Sequence, residues 1–242
     1  MKILVTGSSG FICGYLIQKL LANDHTIIGV DNLSKYGEVN KSFKNHPRYT
    51  FIKGDAKNFN LLKDLIKDCD QVVAAAAKIG GISYFHEYAY DLISENEKII
   101  ASTFDAAIYA FKYHNLKKIN ILSSSMVFEN TNIFPTPEGE QFNCPPPSST
   151  YGFQKLSTEY FSKGAWEQYK LPYTIIRPFN CIGIGEKRAL GNIKLKSGNI
   201  NLAMSHVIPD LVQKVIKGQN PLRIFGDGSQ IRHFTYGGDL AQ

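Results

Sequence analysis

Apolar residues in this chain form short runs, and each run is followed by a segment in which apolar residues recur at helical spacing. The first run, Ile3 to Val5, ends at Gly7-Ser8-Ser9-Gly10, and positions 11, 12, 15, 16, 20 and 21 after it are apolar. Repetition at intervals of three to four positions is typical of one buried helix face. The N-terminal segment is therefore predicted to be a strand, a glycine turn and a helix.

The same alternation continues to residue 179. Further strands are predicted at 26–30, 49–52, 71–77, 118–122 and 173–176, and helices at 61–66, from about 87 to 114, and from about 151 onward. The proline-rich segment 126–150 is predicted to be a loop. Strands that alternate with helices predict an α/β fold with a doubly wound parallel sheet, whose ligands bind beyond the carboxyl ends of the strands.

The composition changes after residue 179, where glycines become frequent among scattered lysines. We therefore expect a large domain over residues 1–179 and a smaller lobe over residues 180–242. The lobe is predicted to contain a helix at 207–216 and a short strand at 222–225.

Composition excludes several function classes. Of 242 residues, 43% are hydrophobic and 20% are charged, as in ordinary globular proteins. The net charge of +6 is spread along the chain, so a nucleic-acid partner is not expected. The four cysteines, at positions 13, 69, 144 and 181, form no cluster, so neither a metal site nor a disulfide framework is expected. Without a signal peptide or a membrane-length apolar run, we expect a cytoplasmic protein with no membrane partner.

The glycine turn and Asp31 together predict a nucleotide site. A glycine turn at a helix N-terminus lets backbone N–H groups and the positive end of the helix dipole meet a pyrophosphate. Asp31 ends the second predicted strand, about twenty residues after the glycines, where a carboxylate accepts hydrogen bonds from an adenosine ribose. That carboxylate would repel a 2′-phosphate, so the expected cofactor is NAD rather than NADP. The alternative is that Asp31 is an ordinary turn residue.

Tyr151 and Lys155 form a second candidate site, because side chains four residues apart lie on one face of a helix. A tyrosine ionises near pH 10, so its use as a base at neutral pH requires its pKa to fall by about 3, or roughly 4 kcal/mol. A lysine ammonium beside the phenol can supply part of this. The spacing alone is common, and the features upstream of it favour a catalytic interpretation.

Several motifs stand in one order along the chain: Thr6-Gly7-Ser8-Ser9-Gly10-Phe11-Ile12, Asp31-Asn32-Leu33-Ser34, Ser123-Ser124-Ser125, the Tyr151/Lys155 pair, Arg177-Pro178-Phe179-Asn180 and GDGSQIRHF at 226–234. They resemble the extended short-chain dehydrogenase/reductase family, specifically its NAD-dependent nucleotide-sugar epimerases and dehydratases. The resemblance covers nearly the whole chain. It implies a Rossmann domain that binds NAD over residues 1–179 and a substrate-binding lobe over residues 180–242. Because members of the family run on further, we expect the lobe to be incomplete here.

The resemblance also implies a role for each residue at a motif position. The catalytic residues would be Ser124, with Ser125 as the fallback, Tyr151 and Lys155. The residues that contact or support NAD would be Gly7, Ser9, Gly10, Phe11, Ile12, Asp31, Asn32, Asp55, Ala56, Ala74, Ala75, Ala76, Lys78, Asn96, Ser123, Tyr151, Lys155 and Pro178. The substrate would be bound by Ser125, Asn180 and Arg232. His206 and His233 are interpreted as surface or packing residues, with substrate contact as the alternative.

The activity that the resemblance implies is NAD-dependent epimerisation at C4 of a UDP- or GDP-linked sugar, through a 4-keto intermediate. The protein would be a homodimer whose contact helices lie near residues 104–111 and 160–169. Lys78–Ile82 and Ser205–Pro209 are similar to the GDP-sugar 3,5-epimerase/reductase branch, although Met126 stands where that branch has a cysteine. A 4,6-dehydratase carries an Asp-Glu pair where Ser125 and Met126 stand. A catalytically silent protein that binds NAD or a nucleotide sugar is a further alternative.

One departure from the family concerns the first turn. Its third glycine is replaced by Cys13, and Gly14 follows. That glycine normally allows the helix to pack closely on the strand. Because cysteine is small, we expect a shifted contact and a retained site.

Overall fold

The computed structural model describes residues 1–79, 87–186, 192–195, 198–201, 206–224 and 226–242. Residues 80–82 of one sequence motif, Ser205 of another, and Phe225 lie outside the described residues. Within these ranges, no helix has the length and apolar character needed to cross a bilayer. The same ranges contain no group of three or more His, Cys, Asp or Glu side chains arranged to hold a metal ion.

Six parallel strands form the central sheet: β1 (Lys2–Thr6), β2 (Thr26–Asp31), β3 (Tyr49–Lys53), β4 (Gln71–Ala74), β5 (Lys118–Leu122) and β6 (Tyr173–Ile176). Their order is β3-β2-β1-β4-β5-β6, so the predicted doubly wound α/β fold is confirmed. The order reverses at β1, whose last residue, Thr6, lies beside both Val30 and Ala74. This reversal opens a crevice beyond the carboxyl ends of the strands.

The helices follow the predicted apolar spacing. They are α1 (Phe11–Ala22), α2 (Phe59–Ile66), α3 (Ala89–Tyr113), α4 (Thr150–Tyr169), α5 (Val207–Ile216) and α6 (Gly237–Leu240), and short 3₁₀ helices span Ser125–Phe128 and Glu140–Phe142. Side-chain caps fix two of the starts: Asn58 accepts a hydrogen bond from the Leu61 N–H before α2, and Ser149 accepts one from the Gly152 N–H at α4. α4 ends at Lys170, which adopts the left-handed conformation with φ 62°.

The core lies on both faces of the sheet, because successive side chains of a strand point to opposite sides. Ile3 and Val5 of β1 pack with Ile17 of α1 in one buried cluster. Leu4, between them, belongs to the larger cluster on the other face, where α2, α3 and α4 pack and Phe104 is buried. With both faces covered by helices, the ends of the strands are left to form the site.

The fourth strand is shorter than predicted. β4 stops at Ala74 rather than at residue 77. The N–H groups of Ala75 and Ala76 both donate to the Thr6 hydroxyl, at 3.2 Å each, instead of to a neighbouring strand. The segment after β4 is therefore fastened to the end of β1, at the crevice.

The residues after 179 form small elements. β7 (Cys181–Ile182) pairs in parallel with β10 (Thr235–Tyr236), and β8 (Asn192–Leu195) pairs antiparallel with β9 (Gly198–Asn201). The strand predicted at 222–225 is wrong over its described part, since residues 222–224 have no regular structure. The Arg223 N–H donates to the Gln219 side chain (3.1 Å), and the Arg223 carbonyl accepts from the Lys214 ammonium (3.0 Å). Side chains, and not a neighbouring strand, are thus the hydrogen-bond partners of this backbone. The domain boundary at residue 179 stays a prediction.

Candidate functional site

Gly7 allows the first turn to lie directly against the segment that follows β4. Its backbone has φ +73°, and its N–H donates to the Val30 carbonyl at 2.8 Å. A Cβ atom at this position would lie 2.9 Å from the backbone N and Cα of Ala76. Because these are backbone atoms, they cannot move aside as a flexible side chain can. Glycine is therefore required here both for the dihedral angle and for the space.

Gly10 leaves the start of α1 open to a ligand. It is the N-cap residue, and its N–H donates to the Gly7 carbonyl at 3.0 Å. Since glycine has no side-chain oxygen, it provides no cap for the N–H groups of the first helical turn. Those groups and the helix dipole together suit an anion. Phe11 and Ile12, which begin α1, line a groove together with the glycine turn, the end of β2 and the segment after β4. This groove lies in the crevice described above.

Asp31 ends β2 and joins two loops at one end of the groove. Its carboxylate accepts hydrogen bonds from the N–H groups of Ser9 (3.0 Å) and Leu33 (2.7 Å). Burial raises the pKa of this carboxyl, and the two N–H donors oppose the rise. Asn32, the next residue, donates to Asp55 at 3.4 Å. Asp31, Asn32 and Asp55, which were all predicted to contact or support NAD, are thus brought together.

Asn96 holds the segment that contains Lys78. Its buried side-chain amide accepts from the Lys78 N–H (2.7 Å) and donates to the Lys78 carbonyl (3.0 Å). The Lys78 ammonium lies 3.7 Å from Glu95, which also pairs with Lys57 at 2.6 Å. Burial lowers the pKa of Lys78, and the Glu95 carboxylate opposes this. Lys78 lines the groove, whereas Asn96 supports it from behind.

Ser124 and Tyr151 are joined by a hydrogen bond between their side chains. Ser124 is buried, and its hydroxyl also accepts from the Met126 N–H (3.2 Å) in the 3₁₀ helix that follows β5. Tyr151 stands in the first turn of α4. Burial raises the pKa of Tyr151, and the hydrogen bond with Ser124 lowers it. The two hydroxyl groups predicted for catalysis are therefore in contact.

Lys155 lies one helical turn after Tyr151 and is 6% exposed. Its ammonium donates to the Leu122 carbonyl (2.9 Å) and lies 5.9 Å from the centre of the Tyr151 ring. Burial lowers the pKa of Lys155 to about 8. The ammonium is thus placed to act on the phenol through space, whereas the hydrogen bond that lowers the tyrosine pKa comes from Ser124. Since Leu122 lines the groove, the catalytic candidates adjoin it.

The sequence model of the NAD dependent epimerase/dehydratase family matches residues 3–242. The chain belongs to this family. It is 30% identical over 241 residues to a putative UDP-glucose 4-epimerase of Methanocaldococcus jannaschii, an alignment that spans 99% of this chain and 71% of that protein. The resemblance inferred from the motifs is confirmed.

Two solved structures extend this similarity to three dimensions. One is a UDP-N-acetylglucosamine 4-epimerase of Methanobrevibacter ruminantium M1 in complex with UDP-N-acetylmuramic acid, with a TM-score of 0.82 and 30% identity over 99% of this chain and 70% of that one. The other is a UDP-glucuronic acid 4-epimerase of Bacillus cereus in complex with UDP-glucuronic acid and NAD. Its TM-score is 0.78, with 26% identity over 100% of this chain and 71% of that one.

NAD is the cofactor of the family, and the groove of this chain fits it. The narrow glycine turn and the uncapped start of α1 suit a diphosphate, and the Asp31 carboxylate suits the two hydroxyls of a ribose. Most of the residues predicted for NAD line this groove: Gly7, Ser9, Gly10, Phe11, Ile12, Asp31, Asn32, Asp55, Ala56, Ala75, Ala76 and Lys78.

The Ser123 side chain faces the ion pair between Glu159 and Arg177 and does not line the groove. Its hydroxyl donates to Glu159 (2.7 Å), whose carboxylate also accepts from Nε (2.7 Å) and Nη2 (2.8 Å) of Arg177. The side chain predicted to contact NAD therefore supports the packing of α4 on β6 in this family member. Pro178, a further predicted residue, accepts a hydrogen bond at its carbonyl from the Ser125 N–H (3.2 Å).

The groove also contains residues that were not predicted for the cofactor, among them Lys35, Tyr36, Leu122, Glu186 and His206. Lys35 and Tyr36 directly follow the Asp31–Ser34 motif, and this position next to a predicted NAD-binding segment could have identified them from the sequence. Glu186 and His206 come from distant positions and are hydrogen-bonded to each other. The sequence carries no signal for that pair. His206, considered above for substrate contact, is thus placed in the NAD groove.

Asn180 and Arg232, which were predicted to bind the substrate, lie on neighbouring segments. The Asn180 side chain donates to the His233 carbonyl at 2.8 Å, and Asn180 itself has φ +31°. This contact fixes the residue next to Arg232, whose side chain is exposed. Ser125 begins the 3₁₀ helix beside Ser124.

Cys13 keeps α1 packed on β1 although it replaces the family's third glycine. The side chain is buried in the cluster with Val5 and Ile17, and its thiol lies 4.0 Å from the Thr6 carbonyl. Burial raises the pKa of this thiol to about 12, so the group is held as a neutral packing element. The helix start is retained, and Gly14 provides space on another side of the helix.

Proposed function

We propose that this protein is a nucleotide-sugar 4-epimerase that uses bound NAD and acts on a UDP-linked sugar. The observation that carries the proposal is the hydrogen bond between Ser124 and Tyr151, which lie with Lys155 next to the cofactor groove. Two hydroxyl groups in contact with each other can both reach one oxygen atom of a bound alcohol. A UDP-sugar is favoured because the similar proteins are named for UDP-sugars.

In this proposal the Tyr151 phenolate accepts the proton of the sugar 4-hydroxyl, and Ser124 hydrogen-bonds the same oxygen. Bound NAD would supply reversible hydride transfer at C4, so the sugar would pass through a 4-keto form that can be reduced on its opposite face. Lys155 stabilises the phenolate by its charge, 5.9 Å from the ring centre. Tyr151 finally gives the proton back to the 4-oxygen, so each cycle leaves the protein and cofactor unchanged.

The same segment argues against the other branches of the family. Dehydration needs a general acid and a general base beside the catalytic serine, but Ser125 and Met126 stand there. The carboxylate of nearby Glu129 accepts from the N–H (3.0 Å) and hydroxyl (2.8 Å) of Ser149, at the start of α4. The thioether of Met126 cannot exchange the protons that epimerisation at C3 or C5 requires. Neither Ser125 nor Met126 can act as the acid or base that these branches require, and the Glu129 carboxylate is already bound to Ser149. The residues beside Ser124 therefore favour chemistry at C4.

Incubation with NAD and a panel of UDP- and GDP-sugars in heavy water tests the proposal. The expected product is the 4-epimer of a UDP-sugar without deuterium on carbon, because hydride return inside the site does not exchange with solvent. Deuterium at C3 or C5 would assign the protein to the 3,5-epimerase branch. Loss of water from the sugar would indicate a dehydratase, and GDP-sugar turnover alone would reject the choice of nucleotide.

The variant Tyr151→Phe removes the proposed base while it keeps the ring. Turnover should fall at least about a hundredfold, the usual contribution of a positioned acid–base group, while NAD binding is retained. Tyr160→Phe, on the exposed side of the same helix, is the matched control and should keep wild-type turnover. Normal turnover in Tyr151→Phe would reject the catalytic assignment. A wild-type chain that binds NAD and converts no sugar in the panel would favour the silent alternative.

We also infer a homodimer in the cytoplasm. Exposed aromatic side chains on the two helices predicted for the contact support the dimer: Tyr113 on α3, and Tyr160 and Trp166 on α4. The four cysteines are free thiols, which suits a reducing compartment. Light scattering on the purified protein should give twice the mass of one chain, and the mass of a single chain would reject the dimer.

A further inference from the structure

The segment that begins at Lys41 lies along α1, although it belongs to the connection between β2 and β3. The Ser42 hydroxyl accepts a hydrogen bond from Gln18 at 2.6 Å. Phe43 is buried in the cluster that contains Cys13 and Ile17. Two consecutive residues are thus fixed on the helix, and they place Lys41 beside its first turns.

The Lys41 ammonium donates to the carbonyl of Gly10, the N-cap residue of α1, at 3.1 Å. The same carbonyl accepts the helical hydrogen bond from the Gly14 N–H at 3.2 Å. A Cβ atom on Gly14 would lie 2.9 Å from the lysine nitrogen, and its three nearest neighbours all belong to Lys41. The glycine after Cys13 therefore provides the space in which the lysine reaches the turn.

A cation at this place has the wrong sign for the helix alone, because the N-terminus of a helix already carries partial positive charge. The charge becomes favourable when an anion binds the open first turn. The ammonium also acts on Asp31, where it opposes the rise in pKa that burial causes. Both effects belong to a site that receives a nucleotide diphosphate.

We propose that Lys41 is a positioning residue for the diphosphate of NAD, that it acts by holding the Gly10 carbonyl, and that Gly14 is the space it requires. Lys41 is not among the residues that line the groove, so it acts through the turn and not by contact with the cofactor. The inference uses the cofactor of the family and does not depend on the proposed sugar chemistry. A titration with NAD alone therefore separates its failure from that of the proposed function.

NAD affinity is measured by calorimetry on the full chain and on four variants. Lys41→Met should raise the Kd for NAD about fivefold, the factor that one net hydrogen bond is worth. Gly14→Leu should raise it by a similar factor, because the leucine occupies the space of the lysine. In the double variant the two effects should not multiply, since Gly14→Leu has no lysine left to displace. Lys44→Met removes an exposed charge from the same segment and should leave the Kd unchanged.

Wild-type affinity in Lys41→Met would overturn the proposal, as would effects that multiply in the double variant. Equal weakening by Lys44→Met would also overturn it, because the effect would then reflect net charge alone. Gly14→Leu replaces glycine by a strong helix former, so this variant is expected to fold. If Lys41→Met does not fold, the affinity of Gly14→Leu decides, and an unchanged Kd overturns the proposal.

Discussion

Lys155 is a buried ammonium, and its replacement by methionine should stabilise the fold while it ends turnover. Burial lowers the pKa of this lysine from its ordinary value of 10.5 to about 8. A fall of that size corresponds to about 3 kcal/mol of unfavourable free energy at pH 7, where the lysine is protonated in both the folded and the unfolded chain. Methionine has a similar length and no charge, so Lys155→Met removes this cost.

The substitution also removes a favourable contact. The ammonium donates to the Leu122 carbonyl at 2.9 Å, and a buried acceptor that loses its donor costs about 1–2 kcal/mol. The net effect expected at pH 7 is therefore a stabilisation of about 1–2 kcal/mol. A residue that costs stability and is required for turnover is typical of an active site.

The pH dependence has a definite sign. Above pH 8 the folded wild-type chain releases the Lys155 proton, while the unfolded chain keeps it up to its ordinary pKa of 10.5. The unfolded state then binds more protons, so the contribution of Lys155 to stability rises with pH. The advantage of Lys155→Met should accordingly shrink by about 1 kcal/mol between pH 7 and pH 9.

Urea unfolding of the NAD-free protein at pH 7 and pH 9 measures both effects. Lys163→Met, which removes an exposed lysine from the same helix, is the matched control and should change stability little at either pH. A Lys155→Met variant that is less stable than wild type at pH 7 would refute the burial argument. An advantage that grows with pH would refute the assignment of the pH dependence to this residue.

Two further substitutions test the supports of the site. Asn96→Leu removes both hydrogen bonds to the Lys78 backbone, and we expect it to lower the free energy of unfolding by about 1–3 kcal/mol and to weaken NAD binding in calorimetry. Glu159→Leu leaves the half-buried Arg177 guanidinium without its carboxylate and should cost about 1–3 kcal/mol in urea unfolding, whereas an unchanged midpoint would show that the pair is not structural.

The sequence predicts those parts of the fold and site whose determinants are local. An apolar run between a turn and a helical pattern defines each strand of the sheet, and a sheet of alternating strands and helices brings their carboxyl ends to one edge. Asp31 is recognised by its distance from the glycine turn. Tyr151 and Lys155 are recognised by helical spacing.

Other features depend on contacts between segments that are distant in the sequence, and no local pattern predicts them. Ser123 stands next to Ser124, yet its hydroxyl faces Glu159 because successive residues point to opposite sides of the chain at a strand end. The Lys41 contact with Gly10 arises from a long connection that folds back on α1. A pairing between residues 31 positions apart in a loop leaves no periodicity in the sequence.

The pKa values of Tyr151 and Lys155 shift in opposite directions, and together they predict how turnover depends on pH. Burial raises the tyrosine pKa and lowers that of the lysine to about 8, so the pair releases its first proton near pH 8. The state with a phenolate and an ammonium holds the same number of protons as the state with two neutral groups, so both become available at that pH. Turnover should therefore rise from pH 6, reach about half of its limiting value near pH 8, and level off about one pH unit higher without a decline.

A decline above pH 8 would show instead that turnover requires the lysine proton independently of the tyrosine. Initial rates across pH 6 to pH 10 with saturating NAD and sugar distinguish the two cases. Ser124→Ala provides the internal check, because the hydrogen bond from Ser124 lowers the tyrosine pKa. Its loss makes the phenolate rarer at every pH in this range, so the variant should be slower across the whole profile without a shift in the pH at which the rate levels off. If Ser124→Ala instead recovers the wild-type rate at high pH, the pH dependence of turnover follows the pKa of Tyr151 alone and not the first ionisation of the Tyr151/Lys155 pair.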